Sequence, residues 1–261
     1  METGAITRYI DVAQVVLYLF WLFFIGLILY LRREDKREGY PLASDRTNRT
    51  SRVQVVGYPE MPEPKAFTLH DGSTVMAPSG KAESGDIKAR PIGAWPGAPL
   101  EPTGNPMLDG VGPGSYAQRA DVPDMTLEGT PKIVPLRTAP DYGLEERSPD
   151  PRGMKVVGAD GAIGGTVCDV WVDKAEPQVR FLEVEVSLGS GTRKALLPIG
   201  LAKVNAWRKE VHVHSILGRQ FAEVPGLKHP DQVTLLEEEK IYGYYGGGKL
   251  YATPGRLGPW L

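Results

Sequence analysis

Residues Val12 to Leu31 read VAQVVLYLFWLFFIGLILYL, twenty positions without a charge. Gln14 is the only strongly polar member. As a helix, such a run spans roughly 30 Å, the thickness of a bilayer's hydrocarbon core. In lipid it has to be helical, because nothing else there satisfies the backbone. A cleaved signal peptide fits poorly, since the run is long, its leading flank carries little positive charge and no small-x-small site follows. Arg32, Arg33, Lys36 and Arg37 crowd the C-terminal flank, whereas Arg8 stands alone before the span. That asymmetry predicts residues 1–11 outside, a transmembrane helix over 12–31 and a cytoplasmic body. The four cations, with Tyr30 at the boundary and Tyr40 just beyond, are candidate contacts for lipid headgroups and the membrane interface. Gly39 supports a left-handed cap, and Pro41 pushes Tyr40 extended.

Proline dominates the next part of the chain. Sixteen of the 23 prolines fall between Pro41 and Pro149. Proline removes ladder donors and fixes φ, so long helices and central strands are not expected over 32–150. Short strand-like patches remain at Lys65–Leu69 and Thr74–Ala77, around the turn His70-Asp71-Gly72-Ser73, and at Lys132–Leu136. Trp95, Tyr116, Ile133, Val134 and Leu136 are apolar anchors that a free linker would lack. The segment therefore reads as an extended chain laid on a partner's surface.

From residue 151 to 261 the texture changes. Ile163–Asp173 and Val179–Ser187 alternate as strands, followed by Lys194–Leu197 and Val211–Ile216. Their spacing predicts a small antiparallel barrel or sandwich. Alternation puts Arg180, Leu182, Val184 and Val186 on one face of their strand. Asp231 is the expected cap of a helix through Val233, Leu235, Leu236 and Ile241 that stops at Gly246-Gly247-Gly248. The fold class is one N-terminal transmembrane helix and a mainly β body with a C-terminal helix.

Composition excludes several classes. The formal net charge of −2 offers no field for nucleic acid. One cysteine, Cys168, allows no internal disulfide and no cysteine-based zinc site. His212 and His214 share a strand side, but without a third ligand they read as surface histidines. The triple glycine lacks the strand and lysine of a phosphate loop, and no nucleophile elbow is present. Glu237-Glu238-Glu239 reads as a solvated helix face. Asp169 and Asp173 share a strand face, and Glu176 sits in the following turn. Clustered carboxylates repel, so one of them would hold its proton to higher pH and could pass protons.

Six stretches, in this order and spacing, carry a resemblance: LRREDKREGYPL (Leu31–Leu42), PTGNPMLDGVGPGSY (Pro102–Tyr116), PKIVPLR (Pro131–Arg137), DPRGMKVVGADG (Asp150–Gly161), TVCDVWVDKAEPQVRFLEVEV (Thr166–Val186) and DQVTLLEEEKIYGYYGGGKLYATP (Asp231–Pro254). Together they resemble the H subunit of purple-bacterial photosynthetic reaction centres. The resemblance implies a C-terminal domain of the PRC-barrel class. It implies a subunit without an active site of its own, capping the cytoplasmic side of the L and M subunits in the photosynthetic inner membrane. Bacteriochlorophyll, bacteriopheophytin, quinones and non-haem iron would be held by other subunits and none by this chain. A cytochrome subunit, the light-harvesting ring and membrane lipids would be further neighbours. The subunit would order the secondary-quinone site and carry protons to it, with Asp173, Glu176 and Arg180 matching the family's inner relay.

One departure concerns proton entry. Some members carry two histidines before P-K-I, where this chain reads DVPDMTLEGTPKI with Glu128 and Thr130 at those positions. Asp121, Asp124 and Glu128 are the candidates to replace them. The competing reading, a membrane-tethered PRC-barrel adaptor for RNA or ribosomal protein, calls for a basic patch with exposed aromatics on the barrel; the sequence offers no obvious one.

Overall fold

A computed structural model describes residues 6, 10–44, 53–80, 87–95, 97–189 and 191–257. The apolar run folds as helix α1, Val12–Glu34, continued by a 3-10 turn over Asp35–Arg37. Gln14, the polar exception, belongs to the cap: the Asp11 side chain accepts from Gln14 N (2.8 Å) and Gln14 Oε1 accepts from Asp11 N (3.4 Å). Such a reciprocal cap satisfies orphan donors at the helix start. None of the α1 side chains is buried by the rest of the chain. The helix is long and apolar enough to cross a membrane.

The chain divides into two compact units, Met1–Gly85 with Pro91–Pro99, and Asp86–Arg90 with Leu100–Leu261. The first holds α1 and small ladders. Strand β1 (Leu42–Ser44) pairs antiparallel with β2 (Val53–Val55). The patches around His70–Ser73 form a hairpin of β3 (Lys65–Thr68) and β4 (Thr74–Ala77). Asp71 Oδ1 closes its turn by accepting from the Ser73 amide (2.8 Å) and hydroxyl (2.6 Å). The second unit opens with a third ladder, of β5 (Ala89–Pro91) with β6 (Leu100–Pro102). The proline-rich segment thus makes more local pairings than an extended strap would. Short hairpins accommodate proline because their outer edges need no donors.

The second unit is built on one sheet. Its strands are β7 (Ile133–Pro135), β8 (Lys155–Val157), β9 (Ile163–Asp173), β10 (Gln178–Leu188), β11 (Gly191–Pro198), β12 (Lys203–Asn205) and β13 (Glu210–His212). The order is β11-β10-β9-β8-β13-β12, with β7 added on β9. The ladders trace an open path among the described residues, antiparallel throughout except for β8 with β13. Val167, Val170, Phe181, Leu182, Leu196, Leu197 and Val211 fill the core. The last expected strand is shorter than Val211–Ile216: pairing ends at His212, and His214 lies outside it.

Two bulges reset the alternation. Val179 faces Val172 but Phe181 faces Trp171, which makes Arg180 an extra residue of β10. Glu183 faces Asp169 but Val184 faces Val167, which makes Cys168 an extra residue of β9. A bulge re-aims the side chains around it. Arg180 is therefore released from the face of Leu182, and Phe181 and Leu182 are both fully buried.

Helix α2, Leu235–Tyr251, departs from expectation at both ends. Its cap is Thr234, not Asp231: Thr234 Oγ1 accepts from Glu237 N (3.1 Å) and Glu237 Oε2 accepts from Thr234 N (2.8 Å). The helix also runs through Gly246–Gly248 instead of stopping there. Those glycines are a contact face. A Cβ on Gly247 would sit 3.1 Å from Gly114 Cα, and one on Gly248 would sit 2.6 Å from Ser215 O. Backbone packs directly on backbone, which compensates for the low helix propensity of glycine.

Candidate functional site

The register of β7 on β9 organises the acidic residues. Ile133 faces Asp173 and Pro135 faces Trp171. Lys132, one residue before β7, therefore lies beside Asp173, and Arg137, just after it, reaches Asp169. The expected carboxylate set is accordingly split between two cations.

The first group centres on Asp173, which is 1% exposed. Its Oδ1 accepts from the amides of Ala175 (2.9 Å) and Glu176 (3.1 Å), tying it to the turn after β9. Lys132 Nζ lies 3.6 Å from Asp173 Oδ2 and 3.6 Å from Asp124 Oδ2. Glu176 is exposed, its carboxylate accepting from Gln178 Nε2 (3.0 Å). An exposed acid, a buried acid and a bridging ammonium are thus neighbours around one turn.

Arg180 extends the group. Its Nη2 stands 3.9 Å from Glu238 Oε2. Glu238 is 8% exposed, so the acidic triplet of α2 is not a solvated face. Glu237 is buried as well, in the cap. Burial holds the Glu238 carboxyl above the usual glutamate range; Arg180 and Arg119 oppose that, Asp124 adds to it and Lys132 opposes it. Glu238 therefore feels both ends of the Asp124–Lys132 pair. Its spacing carried a signal: it is three residues from both Leu235 and Ile241, on the apolar stripe of the helix. Lys132 carried none beyond its place in the PKIVPLR stretch.

The other expected acids stand apart. Asp121 accepts from Thr234 Oγ1 (2.9 Å) and pairs with Lys228, and these partners hold its carboxyl below the usual range. Glu128 sits exposed at the tip of a turn, its carboxyl lowered by its own amide and by Thr126. Thr130 Oγ1 accepts from Lys174 Nζ (2.7 Å).

The second group was not anticipated. Glu183 is buried, facing Asp169 across the β9–β10 ladder. Arg137 Nη1 donates to Glu183 Oε2 (2.8 Å) and Asp169 Oδ2 (2.9 Å). Trp171 Nε1 donates to Glu183 Oε2 (2.7 Å), and Lys194 Nζ meets Oε1 (2.5 Å). Burial by itself would raise Glu183; hydrogen bonds from Lys194, Arg137 and Trp171 outweigh it and hold the carboxyl below its ordinary value. A cavity of about 400 Å³ opens beside this cluster.

At the C-terminal end of α1, Tyr30, Arg32 and Arg33 are exposed. Lys36 is not: it is 2% exposed, and its ammonium donates to the carbonyls of Val56 (2.7 Å), Gly57 (3.1 Å) and Pro59. Tyr40 lies against it, 5.5 Å from ring centre to nitrogen. Arg37 donates to Glu63 O (2.8 Å) and Ala77 O (2.9 Å). These two cations clasp the first unit's own backbone to the end of α1. His212 pairs with Glu210 (3.1 Å), and no group of three metal-ligating side chains occurs among the described residues.

Comparison with known families gives two matches. Residues 4–138 match the model described as "Photosynthetic reaction centre, H-chain N-terminal region". Residues 144–220 match the model of the PRC-barrel domain.

Proposed function

Because this chain belongs to the family of photosynthetic reaction-centre H chains, we propose that it caps the cytoplasmic face of the L and M subunits, steadies the secondary-quinone site and conducts protons to it. In this reading α1 is a single span of the bacterial photosynthetic membrane, with the N-terminus periplasmic and the body cytoplasmic. The pigments, quinones and iron of the complex belong to the other subunits. The chain contributes shape and titratable groups.

One observation carries the proton role: the buried Asp173 is bridged through Lys132 to the exposed Asp124. Reducing a quinone to a quinol consumes two protons. A dianionic product in a buried site would be prohibitively costly, so each electron must draw in a proton. A capping subunit therefore has to offer polar, ionisable steps through its own body. Asp124 supplies a wet end, Glu176 a second exposed carboxylate at the same turn, and Asp173 and Glu238 the interior. Glu238, whose carboxyl burial holds above the usual glutamate range, suits a group that keeps a proton in the interior and passes it on. Arg180 keeps that interior attractive to anions. Asp121 and Glu128 serve as additional collecting carboxylates at the surface.

The test is flash spectroscopy of reaction centres carrying Asp173→Asn, Glu176→Gln and both. Gln and Asn keep shape and lose the titratable proton. Charge separation occurs among pigments on other subunits and should be nearly unchanged. The proton-coupled second electron transfer to the secondary quinone should slow, and the pair should be non-additive if they share one path. A second-electron rate equal to wild type from acid to alkaline pH in the double variant would remove both residues from the mechanism.

A further inference from the structure

The most exposed tryptophan of the described residues is not on the membrane helix. Trp207 is 98% exposed, at the tip of the β12–β13 hairpin in the second unit. The hairpin is anchored by three residue pairs between its strands and by parallel pairing of β13 with β8. Its turn is closed by Asn205 Oδ1 accepting from Arg208 N (3.1 Å), with Lys209 in the left-handed region (φ 51). The indole is thus presented by a braced element and not by a loose end.

Its surroundings are basic, so the fold assembles a basic patch with an exposed aromatic that was not obvious in the sequence. Arg208 and Lys209 follow it directly, Lys203 opens β12, and Lys155 lies on β8 in register with Glu210. All four cations are exposed, and among the described residues none has an ion-pair partner. The neighbouring acid, Glu210, is engaged by His212 (3.1 Å). A fully hydrated indole flanked by unpaired cations suits neither a protein core nor an apolar cleft. It does suit the headgroup layer of an anionic bilayer. There the ring sits at the apolar boundary with its N–H toward water, and the cations meet lipid phosphates. This second contact rests on the function proposed above, in which α1 tethers the chain to a bilayer and so raises the effective concentration of such a surface.

We propose that the Trp207 hairpin is a second, peripheral membrane contact of this chain, binding the anionic lipid surface through the indole and Lys155, Lys203, Arg208 and Lys209.

The experiment places the full chain, alone and within the reaction-centre complex, in nanodiscs of phosphatidylcholine with or without phosphatidylglycerol. The readout is the tryptophan emission of wild type minus that of Trp207→Phe, with lipids brominated near the headgroup as quenchers. In the phosphatidylglycerol discs the Trp207 difference emission should shift to the blue and be quenched. Both effects should diminish in phosphatidylcholine alone and at high salt. A Lys203→Glu, Arg208→Glu, Lys209→Glu triple variant that retains Trp207 should lose them. These substitutions are on exposed positions, so folding is checked by the unchanged emission of buried Trp171. An unshifted, unquenched Trp207 in phosphatidylglycerol discs would overturn the proposal. So would a blue shift that appears only in the full complex and is indifferent to lipid charge, which would assign the hairpin to a protein partner.

Discussion

Arg180 Nη2 and Glu238 Oε2 face each other at 3.9 Å, an ion pair without a hydrogen bond that joins the half-exposed arginine of β10 to the buried glutamate of α2. The Arg180 Nε is buried and has no hydrogen-bond partner among the described residues. The pair is therefore held by packing more than by its own geometry, and its carboxyl is only partly compensated for leaving water.

That incompleteness sets the sign of a pH effect. The Glu238 carboxyl is raised above 4.5 in the folded chain, burial being the largest cause. Between that ordinary value and the raised one, the native state holds more protons than the unfolded state, so stability falls as pH rises through the window. Glu238→Gln mimics the protonated acid. It should match wild type below the window and exceed it above, by no more than the cost of an underpaired buried polar group, about 1–3 kcal/mol. Urea unfolding of the full chain at several pH values measures this. A variant less stable than wild type at alkaline pH would show that the attraction of Arg180 outweighs burial.

Glu183 has the opposite sign and reports through Cys168. Its carboxyl is lowered, so its contribution is present above the ordinary glutamate value and is lost as pH falls through the lowered one. Cys168 Sγ donates to Glu183 Oε1 (3.4 Å). Burial of the sulfur first, and the Glu183 charge second, push the thiol from 9.0 to about 11. Although the residue is exposed, its alkylation by iodoacetamide at mildly alkaline pH should run roughly a hundredfold slower than that of an unhindered thiol, since only the thiolate reacts. Glu183→Gln should speed it. Equal rates in the two proteins would mean that the carboxylate does not control the sulfur.

The glycine face of α2 makes a steric prediction. In an open helix Gly→Ala stabilises by about 1 kcal/mol. At Gly248 the new Cβ would lie 2.5 Å from Ile216 Cγ2 and 2.6 Å from Ser215 O. Overpacking of this kind costs about 1–3 kcal/mol, so Gly248→Ala should be net destabilising and lower the melting temperature of the full chain. A raised melting temperature would mean that the contact yields freely.

Much of this protein is decided by local sequence. Twenty uncharged residues give a helix long and apolar enough to cross a membrane, since an intact helix satisfies its own backbone in lipid. The β3–β4 hairpin, the long strands β9 and β10 and the existence of α2 follow from alternation, turn residues and apolar spacing. The order of the six stretches pointed to the family that the comparison identifies. What local sequence left undecided depends on which residues meet across the chain. Single-residue bulges at Cys168 and Arg180 shift every side chain beyond them, and alternation cannot reveal where they fall. The register of β7 on β9 gives Asp173 to Lys132 and Asp169 to Arg137, dividing a carboxylate cluster that a strand face seemed to unite. Glycines that look like a helix stop are a packing surface, because the backbone of Gly114 approaches from more than a hundred residues away. Charges behave likewise: Lys36 and Glu238 look solvated in sequence and are buried in the fold, since burial is set by what packs on a residue and not by its type.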